Sequence, residues 1–146
     1  MYTSPLIRVA TMGLLLVGVG APAAAAQTTT TSQAAPVFQE KTSAGSITLR
    51  VRPVWNDSIL VFEITADTHS GDLAQLDLRS AARLRLGGRD LEPAAATRLS
   101  GHHGKATVSF PLPAPPATFV LVIRAVGDVP ERVLVWPGAD SSDGGA

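Results

Sequence analysis

The chain has 146 residues, no cysteine, and twelve Lys and Arg against twelve Asp and Glu. This balance, with no basic block and no basic helix face, argues against nucleic-acid binding and against electrostatic attachment to a membrane surface. Without cysteine there is neither a disulfide framework nor a lipidated N-terminal cysteine, so a hydrophobic core alone must hold any folded domain.

The first segment reads as a cleavable signal peptide. Arg8 is the only charged side chain before Glu40, and Val9 to Gly20 are apolar or small. Pro22 ends that run, and Ala24-Ala25-Ala26 has the small-x-small spacing of a signal peptidase site, which predicts a cut before Gln27. The strongly apolar stretch is shorter than the ~20 residues that span a bilayer, so no membrane span is expected after cleavage. The predicted organisation is a signal peptide at 1–26, a flexible Thr/Ser/Ala linker at 27–36, one domain at 37–137 and a disordered Gly/Ala/Asp/Ser tail at 138–146.

Within the domain the hydrophobic period is two, which predicts strands. Ile47, Leu49 and Val51 alternate with Thr48, Arg50 and Arg52, and Pro53 then predicts an edge or a bulge. After a turn at Asn56-Asp57, Leu60, Phe62 and Ile64 alternate with Val61, Glu63 and Thr65. Leu73 to Ala82 is the one stretch with helical spacing, enough for one or two turns. Leu84 and Leu86 follow, with Gly87-Gly88 as a two-residue hairpin signal before Arg89 and Leu91. Ala106, Val108, Phe110 and Leu112 alternate with polar residues, and Phe119 to Ile123 is continuously apolar, as in a central strand. Val133 and Val135 alternate with Arg132, Leu134 and Trp136. Six or seven strands at this spacing predict an all-β, immunoglobulin-like β-sandwich, with an open barrel as the alternative. Phe62, Ile64, Val108, Phe110, Leu121 and Ile123 are its predicted core.

All three histidines fall in two short polar segments, Asp67 to Leu73 and Ser100 to Gly104. If those loops meet at one pole, His69, His102 and His103 with Asp72 or Asp67 have the donor types of a Zn²⁺ or Cu²⁺ site. The same residues equally suit loops held by side chain-to-backbone hydrogen bonds with no metal. Beyond the signal peptide there is no methionine or cysteine, which excludes blue-copper and Cu(I)-carrier chemistry. Oxygen ligands are too sparse for Ca²⁺. No Gly-x-Ser-x-Gly elbow occurs, and no carboxylate pair suggests glycoside hydrolysis. In Val122 to Arg132, Gly127-Asp128 and Pro130 form a tight connector, and Arg124 or Arg132 is a candidate for an ion pair with Asp72 or Asp128.

Three segments carry a resemblance: Asp67-Thr68-His69-Ser70-Gly71-Asp72-Leu73, Gly101-His102-His103-Gly104, and Val122-Ile123-Arg124 through Val129-Pro130-Glu131-Arg132 to Trp136. Together they resemble a group of exported prokaryotic β-sandwich domains. The likeness covers Leu60 to Trp136 and departs at Leu134, where the group carries an aromatic. It implies that the three segments form one unit, and it implies no activity.

The expectation is therefore an exported, non-enzymatic binding or accessory module, periplasmic or secreted. Its specific ligand would be zinc or copper(II), held by His69, His102, His103 and Asp72, and its partner an envelope or extracellular protein. The alternatives are a purely structural or protein-interaction domain without metal and, third, a small metallohydrolase. The exported form is expected to begin at Gln27. Its intact mass checks this, because a mass that retains Met1 to Ala26 would mean an anchor instead.

Overall fold

The computed structural model describes residues 35–138. The expected signal peptide, most of the linker and most of the tail lie outside the described residues. Among the described residues, nine strands form two antiparallel sheets that pack against each other. They are β1 (Lys41–Ser43), β2 (Ile47–Asn56), β3 (Ile59–Thr68), β4 (Ala82–Leu86), β5 (Arg89–Leu91), β6 (Ala95–Ala96), β7 (His103–Pro111), β8 (Phe119–Val126) and β9 (Val129–Trp136). One sheet has the order β1-β2-β3-β7-β6 and the other β5-β4-β8-β9. Between β3 and β4 lie a 3₁₀ turn, Leu73–Gln75, and the one-turn helix α1, Leu78–Ala81. Among the described residues no helix is long and apolar enough to cross a membrane.

Seven strands match the alternation in the sequence. The two additional ones, β1 and β6, end the first sheet and have three and two residues. Segments that short show no period. Pro53 lies within β2, past the last residue paired with β1, which is Val51. The missing N–H therefore falls where no β1 partner needs it.

Tight turns set the hairpins. Gly87 and Gly88 have φ of 52° and 80°, the two positive values that a two-residue type I′ loop needs. Asp57, at φ 52°, turns β2 into β3.

The six predicted core residues are all buried, as are Leu49, Val51, Leu84 and Phe119. In β9 the inward set is Arg132, Leu134 and Trp136, whereas Val133 and Val135 face solvent. Trp136 decides this choice. Its ring stacks on Phe119 at 5.4 Å and lies 5.7 Å from Phe62, and its Nε1 donates to the carbonyl of Gln39 at 2.7 Å. Burying Trp136 forces Leu134 and Arg132 inward by the two-residue period.

Arg132 is 2 % exposed and crosses between the sheets. Its guanidinium donates to the carbonyls of Ser43 at 2.7 Å and Ile47 at 2.6 Å, and to the Ser43 hydroxyl at 3.0 Å. The ion pair expected for it does not form. Asp128 accepts instead from the Ser46 N–H at 2.7 Å, and Arg124 pairs with Glu131 at 2.9 Å.

Phe62 touches three other aromatic rings, with centroids 5.7–5.8 Å away. Phe62→Ala should cost about 3–5 kcal/mol of stability, the range for deleting a buried aromatic. Denaturant titration checks this. Val133→Ala, on the exposed face, should change stability by less than about 0.5 kcal/mol in the same assay.

Candidate functional site

The two histidine-bearing segments meet. Strand β3 pairs with β7 so that Asp67 lies opposite His103. Beyond that pair, the Thr68 N–H donates to the His102 carbonyl at 2.8 Å, and the Leu73 N–H to the Gly101 carbonyl at 2.9 Å. The β1–β2 turn joins the same pole, because the Thr68 hydroxyl donates to the Ser46 carbonyl at 3.2 Å. The β8–β9 turn is tied in through Ser46, whose Oγ accepts from the Asp128 N–H at 3.1 Å while its own N–H is held by the Asp128 carboxylate.

The two glycines that flank the histidine pair have different roles. Gly101 has φ 71°, a left-handed conformation that glycine adopts without steric cost. Gly104 needs space instead. A Cβ there would sit 2.9 Å from the Leu99 side chain and 3.3 Å from the Ser100 carbonyl.

Asp72 works on the backbone. Its Oδ1 accepts from the Ala74 N–H at 2.8 Å and from the Gly101 N–H at 2.9 Å. One oxygen thus caps the 3₁₀ turn and holds the other loop across 29 residues of sequence. These two bonds hold the Asp72 carboxyl below the usual carboxylate range, and the nearby His102 ring adds to the effect.

Asp67, not Asp72, is the carboxylate that meets a histidine. Its Oδ1 lies 2.6 Å from His103 Nδ1, and its Oδ2 accepts from Arg50 at 3.3 Å. The bond to His103 lowers the Asp67 pKa most, with Arg50 adding to it against the opposing effect of burial. Asp67 thus fixes the ring through Nδ1 and leaves Nε2 as the available nitrogen. His69 and His102 are exposed on the adjacent loops. Among the described residues, no group of three or more His, Asp and Glu side chains gathers around a point that would hold a metal ion. The loops converge, then, while their imidazoles do not close on a common centre.

Below this row, the outer face of the first sheet carries an open cleft of about 490 Å³. Glu40, Arg52, Glu63, Lys105 and threonines 65, 97 and 107 line it. Arg52 donates through Nε to Glu63 at 2.9 Å, so both are already partnered. Sequence reasoning missed this face and the Arg50–Asp67–His103 row, because both depend on the pairing of strands far apart in the chain.

Comparison with protein-family models, with curated proteins and with solved structures finds no match.

Asp67, Asp72 and Asp128 all have lowered carboxyl pKa values through hydrogen bonds made in the folded state. Their stabilisation is therefore complete above the unfolded value of about 3.9 and is lost as pH falls through the folded values. Thermal unfolding should show a melting temperature that drops below about pH 4 from this source. Asp72→Asn should lower the melting temperature at neutral pH and weaken that acid-side drop. An unchanged melting temperature would show that Asp72 does not hold the Gly101 loop.

Proposed function

We propose that the chain is an exported, non-enzymatic binding or accessory module of the cell envelope, periplasmic or secreted, that meets a partner protein through the histidine-bearing pole. Export rests on the Arg8, apolar-run and Ala24-x-Ala26 order. We further infer an immunoglobulin-like fold. The orders β2-β3-β7-β6 and β5-β4-β8-β9 follow the A-B-E-D and C′-C-F-G arrangement of such sandwiches, with β1 added at one edge. In that arrangement the β3–β4, β6–β7 and β8–β9 connections share one pole, where variable domains carry their binding loops. This last step is an analogy of fold.

One observation carries the reading: the loops at this pole are tied to one another, yet His69, His102 and His103 face outward. A surface ordered in advance loses less conformational entropy when a partner docks. Two carboxylates at this pole, Asp72 and Asp128, are engaged through Oδ1 in holding backbone N–H groups. That favours a scaffolded docking surface over catalysis.

Zinc or copper(II) binding through His69, His102, His103 and Asp72 is the second reading, and one contact favours it. Asp67 holds His103 by Nδ1, the outer-shell arrangement that orients metal-binding imidazoles. The side chains of His69 and His102 would have to turn toward His103 to complete such a site.

Two measurements separate the readings. A photo-crosslinking residue in place of His102 should trap a specific envelope protein in producing cells, whereas the same residue in place of Arg89 should not. Equal adducts from both positions would sink the docking reading. Calorimetric titration of metal-stripped protein with Zn²⁺ and Cu²⁺ above pH 7 tests the second. Saturable heat that disappears in His103→Ala would establish the metal site, and no saturable heat would remove it.

A further inference from the structure

The open cleft of about 490 Å³ on the outer face of the first sheet has the size of a small-ligand site. Ile64 and Ala106 border it, but their side chains are buried in the core. No aromatic ring lines it, so it offers no face for stacking. Arg52 and Lys105 balance the carboxylates of Glu40 and Glu63, so the lining is neutral as a whole. A ligand held there must be hydrophilic, rich in hydrogen-bonding groups and without net charge.

Strand pairing fixes where each charge sits. Arg52 lies opposite Glu63, and Glu63 opposite Thr107. Continuing the β1–β2 register one residue beyond Lys41 and Val51 puts Glu40 on the other side of Arg52. Lys105 lies opposite Thr65, two residues along β7 from Thr107. The middle of the cleft is neutralised, because Arg52 donates through Nε and Nη2 to the same oxygen of Glu63. The ends are not. Glu40 and Lys105 are exposed, and among the described residues neither joins an ion pair. Beside Lys105, the Thr97 hydroxyl accepts from the Thr107 N–H at 2.8 Å, which leaves its own hydrogen to donate.

We propose that this cleft binds a short peptide with both termini free, its ammonium on Glu40 and its carboxylate on Lys105. Glu40 adjoins β1 and Lys105 lies on β7, three ladder steps away in the sheet order. At ~4.8 Å per step, and two residues out of line, the two positions are about 15 Å apart. An ion-pair contact takes about 3 Å at each end when both side chains stand off the sheet. About 9 Å remains, the span of an extended tripeptide at ~3.3 Å per residue. A single α-amino acid is too short, because both its charges sit on one carbon. Between the ends, the hydroxyls of Thr65 and Thr107 and the unused oxygen of Glu63 face the peptide amides. The unlike end charges set the direction, since the reversed peptide would bring like charges together. An open floor without apolar walls suits small side chains such as alanine. The cleft is separate from the histidine pole, so this inference does not rest on the docking reading.

Titrating the isotope-labelled chain, as recovered from expressing cells, with trialanine and following its amide resonances tests this. Saturable shifts are expected at Thr65, Thr97, Lys105 and Thr107, with a Kd in the millimolar range because the end charges are exposed. N-acetyl-trialanine and trialanine amide should each bind about three- to five-fold more weakly, the equivalent of one exposed ion pair. Glu40→Gln should abolish the discrimination against the acetylated peptide and keep that against the amide. Lys105→Met should do the reverse. Both side chains are exposed, so each variant should retain the parent spectrum elsewhere. No saturable shift, equal binding of a peptide blocked at both ends, or discrimination unchanged in both variants overturns the proposal.

Discussion

Four phenylalanines and one tryptophan make the contact between the sheets on which the rest of the fold depends. Phe62, on the first sheet, meets Phe110 edge-on within its own sheet and reaches across to Phe119 and Trp136. Phe38, just ahead of β1, closes the cluster against Phe119 at 5.0 Å. Each favourable ring pair adds about 0.5–1.5 kcal/mol beyond the burial of its area. A chain with no cysteine has no covalent tie to fall back on, so these rings fix how far apart the sheets sit and which face of β9 turns inward. The inward placement of Arg132 and the outward placement of Val133 and Val135 both follow from where Trp136 must go.

Arg132 shows what that constraint costs and how the cost is offset. A buried cation loses hydration worth several kcal/mol, and burial pushes the Arg132 pKa down. Hydrogen bonds to a charged group return about 1.5–3 kcal/mol each. The carbonyls of Ser43 and Ile47 supply the shortest of these, with that of Val126 further away at 3.3 Å. Nε is buried without a partner, so the compensation is incomplete. Lysine would not substitute, because a single ammonium cannot reach separate carbonyls in the way the planar fork does. Gly45 belongs to the same arrangement, since a Cβ there would press to 2.8 Å from the guanidinium.

Most of the architecture was legible because alternation is a local signal. Ile47 to Val51, Leu60 to Ile64 and Ala106 to Leu112 each display an inward face on their own, and Gly87-Gly88 announces its turn by composition. What was not legible depends on register between distant segments. That Asp67 would lie opposite His103 follows from the pairing of β3 with β7, 36 residues apart. Asp72 looked like a ligand because it neighbours His69 in sequence, yet its position directs Oδ1 to a backbone N–H of the other loop. β9 was ambiguous for another reason. Valine at 133 and 135 and leucine and tryptophan at 134 and 136 are apolar on both faces, so only the tertiary contacts of Trp136 select one.

The ties between the beginning and the end of the domain constrain how it can form. Trp136 donates to Gln39 across 97 residues, and Arg132 to Ser43 across 89. A chain emerging from its N-terminus, from a ribosome or through a narrow channel, can assemble the β2–β3 hairpin early. The inner face of that hairpin meets Phe119 of β8 first, and its last aromatic cover, Trp136, comes only with the final strand. The packing of Phe62 is therefore complete only near the end of chain emergence, when Trp136 joins Phe110 and Phe119 around it. The ties between the two ends of the domain form last, once the final dozen described residues are free to reach Gln39 and Ser43.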